Sequence, residues 1–217
     1  MSIDPETLRQ IEELSHDPRP LLVLDVDDVV LDFIGPFPRF LEKNGFELRL
    51  GDFRLNGNIF DLASGEAADE GRVADLIDAF FNGQADWQTI TTGAAEAMAE
   101  IAPKAEIVML TAMPHRFRAA RRAHLDALGL PYPMLTTEMA KGPAIARLRG
   151  EHGRPLAFVD DQPRNLVSAH EWVADASLFH LMADIRLRDM MPTPPDFIRV
   201  VDDWPEATPL IAEALGI

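Results

Sequence analysis

The sequence predicts an α/β protein with a parallel sheet, and three observations predict it. Apolar runs at Leu21–Val26, Ala105–Leu110 and Pro155–Val159 have the form of strands buried on both faces. Helical patterns lie between them, and such alternation requires parallel pairing with right-handed crossovers. Each run ends in polar residues, at the strand ends where open sheets of this class bind ligands.

Taken in order, Asp4 to Leu14 reads as a short amphipathic helix with Asp4 as N-cap and Pro5 in its first turn, stopped before Pro18 and Pro20. The Leu21 strand comes next. Pro36–Asn44 reads as a helix stopped by Gly45, and another is expected near Glu66–Phe81. Helices at Gly93–Ala102, His115–Leu128, Pro143–Arg149 and Pro163–Val173 alternate with the later strands, to which Met134–Thr136 and Ser177–Leu181 add two weaker ones. Phe197–Val201 reads as an edge strand before a closing helix over Pro205–Leu215.

Asp25 and Thr111 are 86 residues apart, whereas a strand-helix-strand unit takes about 30. The surplus is expected to fold as a small, mainly helical insert over the strand ends, where a lid belongs. The expected division is residues 1–32 and 105–217 as the core and 33–104 as the insert, with the helix at about 93–102 belonging to the core.

The chain has 217 residues, a net charge of −16 and a pI near 4.6. That excess argues against nucleic-acid and anionic-membrane partners, which need a basic face. No apolar window is long enough for a membrane span. Cysteine is absent, so disulfides, thiolate metal sites and thiol nucleophiles are excluded, and a cytoplasmic setting is expected. Of 20 basic residues only Lys43, Lys104 and Lys141 are lysines.

Four features carry chemistry. Asp25-Val26-Asp27-Asp28 places three carboxylates directly after a buried run. Like charges so close repel, and a cation or proton must compensate them unless the segment is simply a solvated acidic loop. Oxygen ligands with no Cys or nearby His select Mg²⁺ over Zn²⁺. Thr111 and Ala112 end the second strand, where a hydroxyl and backbone N–H groups can hold a phosphate oxygen, although a Thr cap is equally ordinary. Lys141 stands at a loop-to-helix junction, a poor place for a cation unless it faces anions or solvent. Asp160-Asp161 end the third run, and N-capping by Asp161 explains one acid but not both.

In this order Asp25-x-Asp27, Thr111, Lys141 and Asp160-Asp161 resemble the four signature motifs of the haloacid dehalogenase-like (HAD) hydrolase superfamily. The resemblance spans residue 21 to about 182 apart from the insert, with Asp28 where many members have Gly. It implies a Rossmann-like sheet of strand order 5-4-1-2-3 and a phosphatase with a cap inserted after the first motif. Asp25 would be the nucleophile that forms an aspartyl-phosphate and Asp27 the general acid and base. Thr111, Ala112 and Lys141 would bind the transferring oxygens. Asp25, the Asp27 backbone carbonyl, Asp160 and Asp161 would hold Mg²⁺, with Asp161 acting through water. The implied partner is a small phosphorylated metabolite, and the expected assembly is a monomer or homodimer.

Members that cleave carbon–halogen bonds lack the second Asp, so Asp27 favours phosphatase over dehalogenase chemistry. A phosphomutase or phosphotransferase of the same superfamily is an alternative. A receiver domain also uses an acidic pair, a Thr and a Lys, but in the order acid pair, lone phospho-acceptor, Thr and Lys. Here Thr111 and Lys141 come before a second acid pair. Leu31-Asp32-Phe33 with Phe53, Arg54 and Phe60 is loosely similar to 5′(3′)-deoxyribonucleotidases. That similarity would make Phe53 or Phe60 a base-stacking ring and Arg54 or Arg116 an anion contact; the plainer reading makes the rings cap core and the arginines surface. His115 is read as structural.

Overall fold

The computed structural model describes residues 3–51, 54–151, 153–182, 184, 187, 190–191 and 193–217. Apolar strand runs and the helices between them form a six-stranded parallel sheet. Its strands are β1 (Leu21–Leu24), β4 (Glu106–Thr111), β5 (Met134–Thr136), β6 (Leu156–Asp160), β7 (Ser177–Leu181) and β8 (Ile198–Val201), in the spatial order β5-β4-β1-β6-β7-β8. Counted along the core alone, this is the expected 5-4-1-2-3 order with one further strand, β8, at the edge.

Strand alternation divides the core into two layers. Leu22 and Leu24 face α4 (Ala94–Ile101), α5 (Arg118–Ala127) and α8 (Trp204–Leu215), where Met98, Ile101, Leu125, Trp204 and Ile211 are buried. Leu21 and Val23 face α6 (Lys141–Arg149) and α7 (Pro163–Trp172), meeting Ile145, Leu148, Leu166 and Ala169. The amphipathic helix α1 (Pro5–Glu12) covers the same side through Ile11, and its Asp4 cap accepts from the Thr7 N–H at 2.8 Å. Register aligns the strand ends: Leu24 is level with Met109 and Val159, so Asp25, Thr111 and Asp160 emerge at one edge of the sheet.

Between β1 and β4 the chain builds α2 (Phe37–Lys43), a hairpin of β2 (Phe46–Leu48) and β3 (Ile59–Asp61), and α3 (Glu70–Asn82). The insert is mainly helical, as expected, and the hairpin adds two short strands to it. Gly45, with φ +83°, turns the chain from α2 into the hairpin. The start of α3 differs, because Asp69 rather than Glu66 marks the boundary, accepting from the Arg72 N–H at 2.7 Å. Phe37, Phe40 and Phe80 pack at centroid distances of 5.2 to 6.0 Å in a separate core, joined from the β4 side by Met113 and Phe117. Two connecting segments run side by side: Asp32 N donates to Thr89 O at 2.9 Å and Thr91 N to Val30 O at 2.9 Å.

The C-terminal helix is tied to the loop after β1. The buried Trp204 indole donates to Val29 O at 2.9 Å. Among the described residues no helix is long and apolar enough to cross a membrane.

Candidate active site

A short run of four apolar residues delivers Asp25, whose N–H continues the ladder to Val159 O at 2.9 Å. Beyond it the backbone closes a tight loop in which the N–H groups of Val30 and Leu31 both converge on Val26 O. Asp28 adopts φ +60°, the left-handed conformation that favours glycine. Its carboxylate offsets part of that cost by accepting from the N–H groups of Phe33 and Ile34, each at 2.9 Å. Burial pushes the Asp28 carboxyl up to about 7; the two N–H donors oppose the rise, and Asp27 and Asp32 add to it.

The acidic ends of β1 and β6 meet. Oxygen atoms of Asp25, Asp160 and Asp161, all buried, lie within 4.8 Å of one another. Lys141 is buried among them, its Nζ 2.7 Å from Asp25 Oδ1 and 2.6 Å from Asp160 Oδ2. Burial opposes its charge, but Asp160 and Asp25 outweigh that and hold the ammonium pKa above the usual lysine value. Burial first, and Asp160 second, raise Asp161 well above the carboxylate range. Asp25 is pushed up to about 6 by burial, against the pull of Lys141.

Lys141 opens α6 as its first residue, two positions earlier than the expected start at Pro143. The adjacent Gly142 explains how it reaches the acids: a Cβ there would lie 2.2 Å from Ser168 O, so α6 and α7 meet backbone to backbone. The α7 boundary also differs from expectation. Asp161 is not its cap; Asp160 Oδ1 accepts from the Gln162 N–H at 2.8 Å and from Asn165 Nδ2 at 3.0 Å. Asp161 instead accepts from Gln162 Nε2 at 2.7 Å, and its backbone carbonyl from His180 Nε2 at 2.8 Å.

Thr111 is buried at the same edge, its hydroxyl accepting from the Met113 N–H at 3.2 Å. The helix expected from His115 begins as a single 3₁₀ turn, His115–Phe117, before α5. The Asp27 carboxylate lies apart from the acid cluster, held on Oδ1 by Arg121 Nη2 and Gln88 Nε2, each at 2.9 Å.

Above these groups is a cavity of about 530 Å³. Asp25, Asp27, Thr111, Ala112 and Asp161 line its floor, while Phe33, Leu55, Val73, Ile77 and Phe81 supply an apolar wall from the insert. Arg54, Arg164 and Asn56 also line it. Of the other residues weighed for binding, Phe53 lies outside the described residues. Phe60 packs under Arg49 at 4.2 Å, and Arg116 forms a two-pronged pair with Asp78 at 2.6 Å. His115 bridges Thr136 Oγ1 at 2.7 Å and Asp4 Oδ1 at 3.0 Å, a structural link between α1 and β5.

Four residues of this region are absent from the sequence-based candidates: Arg121, Gln88, Arg164 and Asn165. Asn165 has a sequence signal, standing five residues after Asp160 on one face of a helix start. In a chain whose basic residues are mostly arginine, the two arginines have none.

The donor set fits a hard divalent cation: three carboxylates within bridging distance, no soft ligand, and two acids that burial holds above their ordinary pKa.

No family model matches the sequence, and no curated protein matches it. Solved structures do. The Bacillus subtilis HAD-hydrolase YfnB, bound to magnesium, aligns with a TM-score of 0.62 and 13% identity over 93% of this chain and 100% of its own. A HAD family hydrolase from Deinococcus radiodurans, with bound phosphate and sodium, aligns at 0.53 and 15% identity over 91% and 96%. A predicted phosphoglycolate phosphatase from Haemophilus somnus aligns at 0.57 and 14% identity over 90% and 99%. The chain has the fold these hydrolases share.

Proposed function

With the haloacid dehalogenase-like fold as premise, we propose that the chain is a Mg²⁺-dependent phosphatase that hydrolyses a small-molecule phosphomonoester through an aspartyl-phosphate on Asp25. The observation that carries this reading is the convergence of Asp25, Lys141, Asp160 and Asp161 beneath a cavity that Thr111 and Asp27 also border.

In this reading an Asp25 oxygen attacks phosphorus and the ester bond breaks, while Asp27 gives its proton to the departing alkoxide. Asp27 then takes a proton from water as that water attacks the phosphoryl group, which returns Asp25 and releases phosphate. Thr111, the N–H groups from Ala112 onward and Lys141 bind the phosphoryl oxygens, and Lys141 also holds Asp25 in place. Asp25, the Asp27 carbonyl and Asp160, with Asp161 through water, would hold Mg²⁺, which neutralises phosphoryl charge when bound. The insert acts as a cap whose apolar wall meets the organic part of the ester. The magnesium and the phosphate named for two of the structural neighbours support this reading.

The test is hydrolysis of p-nitrophenyl phosphate by purified protein with and without Mg²⁺. Activity should require the metal, and Asp25→Asn should lower kcat by roughly a thousandfold or more, the scale of losing a covalent nucleophile. Full activity in that variant removes the proposed nucleophile. A panel of several dozen phosphorylated metabolites then identifies the substrate, and product analysis in the presence of an alcohol acceptor separates hydrolysis from phosphoryl transfer.

A further inference from the structure

Asp27 is held by two side chains that no part of the phosphatase reading uses. Arg121, fully buried on α5, donates from Nη2 to Asp27 Oδ1 at 2.9 Å and to Gln88 Oε1 at 3.1 Å. Gln88, 2% exposed, donates from Nε2 to the same Asp27 oxygen at 2.9 Å. The three side chains therefore form a closed ring. His124, one turn along α5, fixes Gln88 by donating to its backbone carbonyl at 3.0 Å.

Two properties of this ring are costly for a purely structural ion pair. An arginine paired with a carboxylate ordinarily uses both forks on both oxygens, whereas here two donors load Oδ1 and Oδ2 accepts no hydrogen bond from any described residue. Arg121 Nε and Nη1 are buried without hydrogen-bond partners, and the guanidinium lies 5.6 Å from the Phe81 ring. Burying a cation so incompletely satisfied opposes folding by an amount that apolar packing at that point would avoid. What the arrangement achieves is orientation: Asp27, whose side chain is 21% exposed, borders the cavity with one oxygen pinned and the other free.

We propose that Arg121 and Gln88 are positioning residues that pin Oδ1 of Asp27 so that Oδ2 carries the proton delivered to the leaving group. This rests on the assignment of Asp27 as general acid. The proton moves from Asp27 Oδ2 to the ester oxygen as its bond to phosphorus breaks, leaving Asp27 ionised against Arg121. A nitrophenolate departs without such help, whereas an alkoxide does not.

The experiment compares kcat/KM of the Mg²⁺-loaded enzyme for p-nitrophenyl phosphate and p-nitrobenzyl phosphate, two esters of similar shape with good and poor leaving groups. Because kcat/KM ends at transfer to Asp25, the later hydrolysis step does not enter. Arg121→Lys and Gln88→Leu should each lower the benzyl value at least about tenfold more than the phenyl value, and Asp27→Asn should discriminate in the same direction and further. Equal losses on both esters in the Arg121 and Gln88 variants, with Asp27→Asn still discriminating, overturn the positioning role and leave the phosphatase reading intact. Should Asp27→Asn fail to discriminate, the acid assignment falls and the positioning role with it. Where Arg121→Lys does not fold, Gln88→Leu decides alone.

Discussion

The Lys141 ammonium stands 2.7 Å from Asp25 Oδ1 and reaches Asp160 on the neighbouring strand from the same position. One buried cation thus balances acids from two strands. Lys141→Gln leaves those acids uncompensated, and breaking a buried pair costs about 3–5 kcal/mol. The lost cation lets burial raise the Asp25 carboxyl further, so the native state binds more protons than the unfolded chain, and stability is lost as pH rises. Denaturant unfolding of the metal-free variant should show most of its deficit at pH 8 and a smaller one at pH 5. A deficit of the same size at both pH values would contradict this charge balance.

Proton release should accompany magnesium binding. Asp25 is held at about 6 and Asp161 well above the carboxylate range, chiefly by burial, and both must ionise to serve a cation. Calorimetric titration with Mg²⁺ at pH 5.5 should give weaker affinity than at pH 7.5, by up to about tenfold per pH unit for each proton released. Asp161→Asn should flatten that dependence. Affinity independent of pH would show that these acids are already ionised without the metal.

Asp28 offers a stabilising substitution. Its carboxyl, raised to about 7 by burial, contributes stability that is complete below the unfolded value near 4 and is lost as pH climbs through 7. Asparagine keeps an acceptor for the Phe33 and Ile34 N–H groups, tolerates the positive φ and cannot ionise. Asp28→Asn should therefore unfold at higher urea than the parent at pH 8, by at most about 4 kcal/mol, with little difference at pH 4. Lower stability at pH 8 would mean the carboxylate itself is needed there.

Arg164 lies in the first turn of α7, where the helix dipole disfavours a cation. It borders the cavity and makes no ion pair or hydrogen bond with any described residue. A substrate bearing a second anion would supply the missing partner. Arg164→Ala should raise KM for 4-carboxyphenyl phosphate by roughly tenfold, about 1.4 kcal/mol, relative to phenyl phosphate. Stability should change by no more than about 0.5 kcal/mol, since the side chain is exposed. A KM change shared equally by both esters would assign Arg164 to the phosphate common to them.

Much of the sheet was legible because a strand buried on both faces leaves an unbroken apolar run, as Leu21–Leu24 and Leu156–Val159 do. The chemistry at the strand ends was legible for the opposite reason: paired acids directly after such a run have no packing explanation. The β2–β3 hairpin escaped because three-residue strands are too short to show alternation. The Asp69 cap escaped because Glu66 and Asp69 are equally polar, and only the accepted N–H separates them. Arg121 and Gln88 became visible only when the chain, 94 and 61 positions further on, folded back onto Asp27. No local pattern encodes such a meeting.

Gly142 sets a final constraint. With only a hydrogen between its α-carbon and the Ser168 carbonyl, the segment bearing the ammonium and the segment beyond the paired acids lie in direct backbone contact. A methyl group at that point would act as a wedge, prying the positive member away from the negative ones without altering any of them. The partial compensation of these acids by the ammonium is thus a matter of spacing between two helices, decided at a position that carries no charge.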